Sequence, residues 1–434
     1  MAPPLPLLAY RLAGYAARPF VSLLLRRRLA RGKEDPLRIG ERKGRPSLPR
    51  PAGQLIWFHA ASVGETMSVL PLIDTLSGAG HAVLLTTGTR TSAALAASRL
   101  PGGAIHQFVP VDLARAVARF LDHWRPDLAI FCESEIWPML LAETHRRAIP
   151  LGIVNGRMSE KAFRGWRRFP GTARALLGAC AFCLAQTETD AARYVKLGAQ
   201  AEAAGNLKFD APALPIDAEA RATLIRAMEG RPVLLAASTH PGEEEAVLEA
   251  SARIRDRIPD LLTVIAPRHP ERGDEIAAAA AAGGLLMPRR SQGALPERRA
   301  TTYLADTLGE MGLFYSLATL AFVGGTLAPI GGHNPIEPAK LGIPILHGPE
   351  TDKNREVFAA FDTAEAAISV ADARALAEEA IRLLEDADAR ATLAINARTL
   401  IAASEGALAR ALGRIEAVLD KAGNLPGDRA FSGR

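Results

Sequence analysis

The sequence has little cysteine: Cys132, Cys180 and Cys183 are the only three in 434 residues. An odd, low count supports no disulfide framework and fits a reducing compartment. Aromatic residues make up only 5%, which argues against the base-stacking surfaces of single-strand nucleic-acid binders. The nine histidines show neither an HExxH pattern nor paired spacing, so no metal site is expected. The one DxD-like triplet, Asp386-Ala387-Asp388, lies in a helical pattern and reads as exposed helix surface. After the first 25 residues no run reaches 18 apolar residues without a charge, so the bulk of the chain reads as soluble. What remains is ordinary globular composition, 48% apolar and 23% charged, over a length that suggests two or more domains.

The net charge of +5 at first points to a nucleic-acid partner, but its distribution argues otherwise. Residues 1–50 hold twelve Lys/Arg against Glu34, Asp35 and Glu41, whereas the other 384 residues hold 40 basic and 44 acidic side chains. A +9 segment therefore precedes a body of −4. The same segment is apolar before it is basic: PPLPLLAYRLAGYAARPFVSLLL (3–25) runs into Arg26-Arg27-Arg28. Arg11 and Arg18 count against a clean span, because each costs roughly 2.5–3.5 kcal/mol at a membrane centre. Seven residues apart, they share one face of a helix and leave Leu7, Leu8, Leu12 and Tyr15 for another. That pattern fits a helix lying in the membrane interface, with the arginines meeting anionic headgroups. The alternative is an ordinary amphipathic helix packed on the domain. A secretory signal fits poorly, since no basic region precedes the apolar stretch.

Beyond the arm, short apolar runs alternate with helical patterns. Strands are expected at 55–59, 82–86, 128–132, 149–155 and 181–186, with amphipathic helices at 65–78 and 113–123 between them. Cys180-Ala-Phe-Cys183 has redox spacing but lies in an apolar run and reads as buried strand. A second series is expected at 233–237, 262–266, 302–304, 320–323 and 343–346. Continuous apolar runs separated by helices indicate parallel sheets covered on both faces. Pro212 and Pro215 mark a linker. The expected organisation is an arm at 1–32, an α/β domain at 33–211, a linker at 212–217 and a second α/β domain at 218–434, whose last helix returns to the first domain in one version. In such sheets ligands sit beyond the carboxyl ends of the strands, here in a cleft between domains.

Several segments at those ends carry chemistry. In WFHAASVGE (57–65) a strand runs through small residues into a helix opened by Glu65, which suits a positioned general base or a simple helix-dipole partner. In CESEIWP (132–138), Glu133 and Glu135 leave a buried strand, where charge is costly unless paired or used; alternation would put both on one side. GNLKFD (205–210) offers Lys208 at the domain junction, for an anion or for solvent. STHPGEEE (238–245) opens a helix whose amino end suits an anion, and PRHPER (267–272) offers Arg268 and His269. DTLGEMGLFY (306–315) contributes Gly309, Glu310 and Met311. The segment FVGGTLAPIGGHNPIEP (322–338) carries two glycine pairs, then Asn334 and Glu337. Such a loop suits a nucleotide phosphate and ribose hydroxyls, but fits neither GxGxxG nor GxxxxGK[ST].

Taken in order, ASVGE, ESEIWP, GNLKFD, STHPGEE, PRHPER, LGEM and GGHNPIEPA resemble the Kdo (3-deoxy-D-manno-octulosonic acid) transferases, glycosyltransferase family 30, over nearly the whole chain. The resemblance implies a GT-B architecture: two doubly wound Rossmann-like domains facing a cleft, with an N-terminal membrane-associating helix. It implies transfer of Kdo from CMP-Kdo to the lipid A precursor (lipid IVA) in lipopolysaccharide core biosynthesis, at the cytoplasmic face of the inner membrane. Glu65 then matches the general base, and Glu133 and Lys208 match transition-state stabilisers. Pro267, Arg268, Gly309, Glu310, Met311, Asn334, Pro335, Ile336 and Glu337 match the CMP-binding segments. No cofactor, no metal and no nucleic acid are implied, and the reaction would invert the anomeric centre. The alternative on the same architecture is a UDP-sugar transferase or a nucleotide-sugar epimerase.

Overall fold

The computed structural model describes residues 3–423. They form two compact units, one of residues up to Ala211 together with those from Ser404 onward, the other running from Pro212 to Ala403.

The first unit is built on a seven-stranded parallel sheet in the order β3-β2-β1-β4-β5-β6-β7. Its strands are β1 (Leu55–His59), β2 (Ala82–Thr87), β3 (Ile105–Phe108), β4 (Leu128–Cys132), β5 (Leu151–Gly156), β6 (Phe182–Ala185) and β7 (Ala201–Ala203). Every residue of β1 and β4 is buried, because helices cover both faces and either face then favours apolar side chains. Alternation along β1 sends Leu55 and Trp57 into one core cluster, with Phe120, Trp124 and Phe131. Ile56 and Phe58 enter the other, with Val69, Leu72 and Ile73 of the helix Val63–Gly78 (α3). Trp57 lies 4.8 Å from Phe120 and 5.2 Å from Phe131 between ring centroids. Burying each such side chain contributes roughly 1.5–3 kcal/mol, which holds the carboxyl ends of β1 and β4 rigidly beside each other.

The second unit repeats the plan with six parallel strands in the order β10-β9-β8-β11-β12-β13. They are β8 (Val233–Thr239), β9 (Leu262–Pro267), β10 (Thr302–Leu304), β11 (Leu320–Val323), β12 (Ile345–His347) and β13 (Ile368–Ser369). In both sheets the chain order reverses between the first and fourth strands, so β1/β4 and β8/β11 are the switch points at which Rossmann-type sheets open a crevice.

Two of three features, the arm and Cys180, differ from the sequence-based expectation, and the other follows the version in which the last helix returns to the first domain. The arm is not one helix but two, α1 (Leu5–Ala16) and α2 (Arg18–Ala30). Pro19 offers no N–H and its ring clashes with the preceding turn, so a new helix starts there. Arg11 and Arg18 consequently sit on different helices. Leu7 is buried in the domain core, apart from the exposed Leu8, Leu12 and Tyr15. Among the described residues no helix is long and apolar enough to cross a membrane. Second, the chain leaves the second unit at Ala403. The helix Ala407–Gly423 packs Ala411, Ile415 and Leu419 into the same cluster as Leu72 and Ile73, and the Asp210 carboxylate accepts from the amides of Gly406 and Leu408 at 2.7 and 3.2 Å. Third, Cys180 precedes β6 rather than lying in it; burial pushes its thiol up to about 12, so it is an inert apolar filler.

Candidate active site

At the carboxyl end of β1 the backbone passes through Ala60 and Ala61 to Ser62, which caps α3 by accepting from the Glu65 amide at 3.3 Å. The Glu65 side chain folds back over this turn. Its two oxygens accept from the Ser62 hydroxyl and the Ala61 amide, both at 2.8 Å. These bonds occupy one position on each oxygen and leave lone pairs for another proton. The residue is 9% exposed. Burial, then the charges of Glu135 and Glu133, raise its pKa to about 7, against the lowering effect of the Ser62 and Ala61 bonds. A carboxylate that is ordered and carries a pKa near neutrality has the properties of a general base.

β4 ends at Cys132, and Glu133 turns out of the sheet with a left-handed φ of 55°. The strand alternation expected to place Glu133 and Glu135 on one side therefore stops before either residue. Their environments differ accordingly. Glu133 donates its amide to the Val154 carbonyl at 3.0 Å, its carbonyl accepts from the Tyr194 hydroxyl at 3.1 Å, and its carboxylate lies 3.5 Å from the Asn155 amide nitrogen. A non-glycine residue in this conformation costs on the order of 1–3 kcal/mol and is maintained by such surrounding bonds. Glu135 turns instead to the indole N–H of Trp137, which donates to it, and to His59 Nε2 at 3.6 Å. Although burial opposes ionisation, these neighbours hold Glu135 below the usual carboxylate range.

Lys208 reaches the same place through a different route. Asn206 accepts from the Lys208 amide at 3.0 Å, and Asn155 accepts from the Leu207 amide at 3.0 Å. Asn155 is buried, holds φ 53° and bonds on one side to Glu133 and on the other to the lysine turn. Sequence reasoning did not single it out, because it ends an apolar strand (LGIVNG) and has no charge. His59, buried against Thr86 Oγ1 at 3.0 Å, was likewise missed. The Cys132 thiol reports the convergence: burial pushes it well above its usual value, Glu133, Glu65 and Glu135 push further, and Lys208 opposes. The three expected catalytic residues thus gather at the β1/β4 switch point.

In the second unit the loops at the β8/β11 switch point meet. Gly324 lies so close to β8 that a Cβ there would stand 2.7 Å from the Ser238 carbonyl, and a Cβ on Gly332 would stand 2.8 Å from the Phe358 ring. The amides that follow, expected to cradle a phosphate, are already taken. The buried Glu243 carboxylate accepts from Gly325 at 2.7 Å, Thr326 at 3.0 Å and Leu327 at 2.9 Å, and also from His240 at 3.0 Å. The helix start at Glu243 is similarly occupied by its own side chains, Glu245 accepting from Gly242 at 3.0 Å. The amides of Gly325, Thr326 and Leu327 therefore serve an internal brace.

The expected nucleotide-binding residues all belong to this second unit. Pro267 ends β9 and Arg268 is exposed just beyond it, its amide donating to the Thr239 carbonyl at 3.0 Å. Asn334 caps the short helix Ile336–Lys340 at the Ile336 amide, 3.1 Å. Burial raises Glu337, against the Asn334 amide and the charge of Arg268. Met311 opens the helix Met311–Tyr315, whose buried Tyr315 is raised by burial and then by Glu337. Gly309 turns at φ 84°. Glu310 is ion-paired with Arg290 at 2.6 Å, which holds it below the usual range. Two histidines that sequence reasoning left unassigned face each other here: His240 and His333 have rings parallel within 2° and Nε2 atoms 2.9 Å apart.

Two parallel-sheet units of the same topology, each with its polar residues at the switch point, define a GT-B-like Rossmann-type class. A solved structure of the same fold, UDP-GlcNAc 2-epimerase from Neisseria meningitidis bound to UDP-GlcNAc, is 14% identical and superposes at TM-score 0.54 over 85% of this chain and 100% of that one. The family model for 3-deoxy-D-manno-octulosonic-acid transferase (kdotransferase) matches residues 37–211. The 3-deoxy-D-manno-octulosonic acid transferase of Bordetella pertussis is 36% identical over 426 residues, covering 94% of this chain and 98% of its own. That of Rickettsia bellii is 35% identical over 379 residues, covering 87% and 89%. The chain belongs to the Kdo transferase family and is a glycosyltransferase.

Proposed function

We propose that the chain transfers Kdo from CMP-Kdo to the lipid A precursor (lipid IVA), with inversion and without a metal ion, in lipopolysaccharide core biosynthesis. Glu65 removes the proton from an acceptor hydroxyl as that oxygen attacks the anomeric carbon of Kdo. The bond from that carbon to the phosphate oxygen breaks, CMP leaves with the electron pair, and attack from the opposite face inverts the centre. CMP carries a single phosphate, so fixed cations such as Arg268 stabilise the departing charge without a metal bridge. Lys208, positioned by Asn206 and Asn155, offsets charge at the reacting centre, and Glu133 orients the lysine turn through Asn155. Glu337 and Asn334 bind the ribose side of CMP, with Pro267, Gly309, Glu310, Met311, Pro335 and Ile336 completing that surface.

The observation that carries this reading is the Glu65 carboxylate: held by Ser62 and Ala61, with a pKa of about 7, at the switch point beside Glu133. The arm, residues 1–32, is proposed to rest on the cytoplasmic face of the inner membrane. Leu5, Leu8, Leu12, Phe20, Leu23 and Leu24 support this, since all are exposed and Phe20 is 74% so. The test of the reaction is the Glu65→Ala protein, which should retain CMP affinity and lose transfer; retained turnover would remove Glu65 from the base role.

A further inference from the structure

The arm does more than present apolar residues. Between α1, α2, the turn at 43–45 and the start of the helix Ala114–Trp124 lies a cavity of about 180 Å³. Arg11, Arg18, Lys43, Arg45, Arg115 and Arg119 surround it. Arg11 leans towards Glu143 at 4.0 Å, but none of the other five forms an ion pair with a carboxylate among the described residues.

The nearby acids are committed elsewhere. Glu34 takes Arg28 at 2.6 Å and Arg42 at 3.3 Å, Glu41 takes Arg38 at 2.9 Å, and Asp35 accepts from the Leu37 amide at 2.9 Å. Asp112, at the foot of α1, accepts from the Tyr10 hydroxyl and from the amides of Met139 and Leu140. The guanidinium of Arg119 is accordingly held below its usual value, by desolvation first and then by Arg115, Arg45 and Arg18. Like charges gathered without a counter-ion cost stability, and an anion in their midst removes that cost.

Apart from Ser22, the remaining wall is mainly apolar, with Tyr15, Val21, Leu25, Val111 and Leu113 its larger side chains. Tyr15 is also 47% exposed, so the cavity opens beside the exposed apolar residues of the arm. A volume well under the roughly 300–1,000 Å³ of small-molecule sites suits a headgroup, not a whole lipid. We propose that this cavity is a binding site for the phosphate of an anionic membrane lipid, whose acyl chains lie against the exposed face of the arm. The proposal rests on the reading that the arm lies on a membrane, and it adds a discrete site to what would otherwise be diffuse attraction. The occupant is lipid, not nucleic acid, because apolar side chains rather than stacking faces continue the cavity outward.

The test uses the full chain and two charge-matched variants, Arg45→Gln/Arg119→Gln inside the cavity and Arg26→Gln/Arg27→Gln outside it. Calorimetric titration with dioctanoyl phosphatidate below its micellar concentration should give one site per chain in the wild type and in the outside variant. Affinity should fall at least about tenfold in the cavity variant. Inorganic phosphate should occupy the same site at least about tenfold more weakly than the lipid. Thermal melting without ligand should show the cavity variant at least as stable as wild type, since no ion pair is removed and like-charge crowding is relieved. Equal loss in both variants, or no stoichiometric binding, overturns the site; phosphate binding as tightly as the lipid overturns its assignment to lipid. Flotation with vesicles of choline lipid containing phosphatidate separates the two readings. A wild type that fails to float contradicts membrane attachment, whereas one that floats and loses nothing by the cavity substitutions contradicts only the site.

Discussion

Glu65 carries two opposite consequences of one environment. Desolvation that raises its pKa to about 7 makes it a competent base, and also makes its ionisation unfavourable to the fold. Because the active form is the carboxylate, kcat/KM should rise through about pH 7 to a plateau. Glu135 contributes to the raised value, so Glu135→Gln should move the acidic limb to lower pH; an unmoved limb would show that Glu135 does not act on the base. For stability the sign is the reverse. Between the unfolded value of 4.5 and about 7, the folded protein binds a proton that the unfolded chain does not, so stability falls as pH rises across that window. Glu65→Gln should therefore lose roughly 10²–10⁴ in turnover. Its unfolding free energy relative to wild type should climb between pH 5 and pH 8, by at most about 3 kcal/mol in chemical denaturation. Glu65 and Glu133 stood out in the sequence as charged residues at the ends of apolar runs, whereas Lys208 was drawn in only by the resemblance that GNLKFD carries. Asn155 and His59 did not stand out, because an uncharged or buried polar residue inside such a run looks like strand.

Sheet elements were legible in proportion to their burial. The central strands β1, β4, β8 and β11 are covered on both faces and write themselves as continuous apolar runs. The strands not expected, β3, β7 and β13, are all edges. There a short, partly exposed segment such as Ala201–Ala203 needs no apolar run. Loops obey neither rule, so a glycine-rich segment read as a phosphate cradle closes instead on Glu243. Glu243→Ala would leave the buried amides of Gly325 and Thr326, and the half-buried amide of Leu327, without an acceptor. It should cost about 2–4 kcal/mol in calorimetric unfolding of the second unit and weaken CMP binding, with the pH limb set by Glu65 unchanged. An unaltered melting profile would contradict the bracing role.

The whole chain combines a basic arm with a body of slightly acidic balance, an asymmetry already visible in the charge count. Where that charge goes was not visible. Part is consumed by Glu34 and Glu41, and four of the others, Arg11, Arg18, Lys43 and Arg45, meet Arg115 and Arg119 around one cavity. On the proposed chemistry, CMP should raise the melting temperature more than UDP does, and chelation by EDTA should leave turnover unchanged. The account as a whole is tested most directly by mass spectrometry of the lipid formed when the purified protein meets CMP-Kdo and lipid A precursor. The wild type should yield Kdo-bearing lipid with release of CMP, and Glu65→Gln should yield essentially none. Comparable product from the Glu65→Gln protein, or no Kdo on the lipid with wild type, would contradict it.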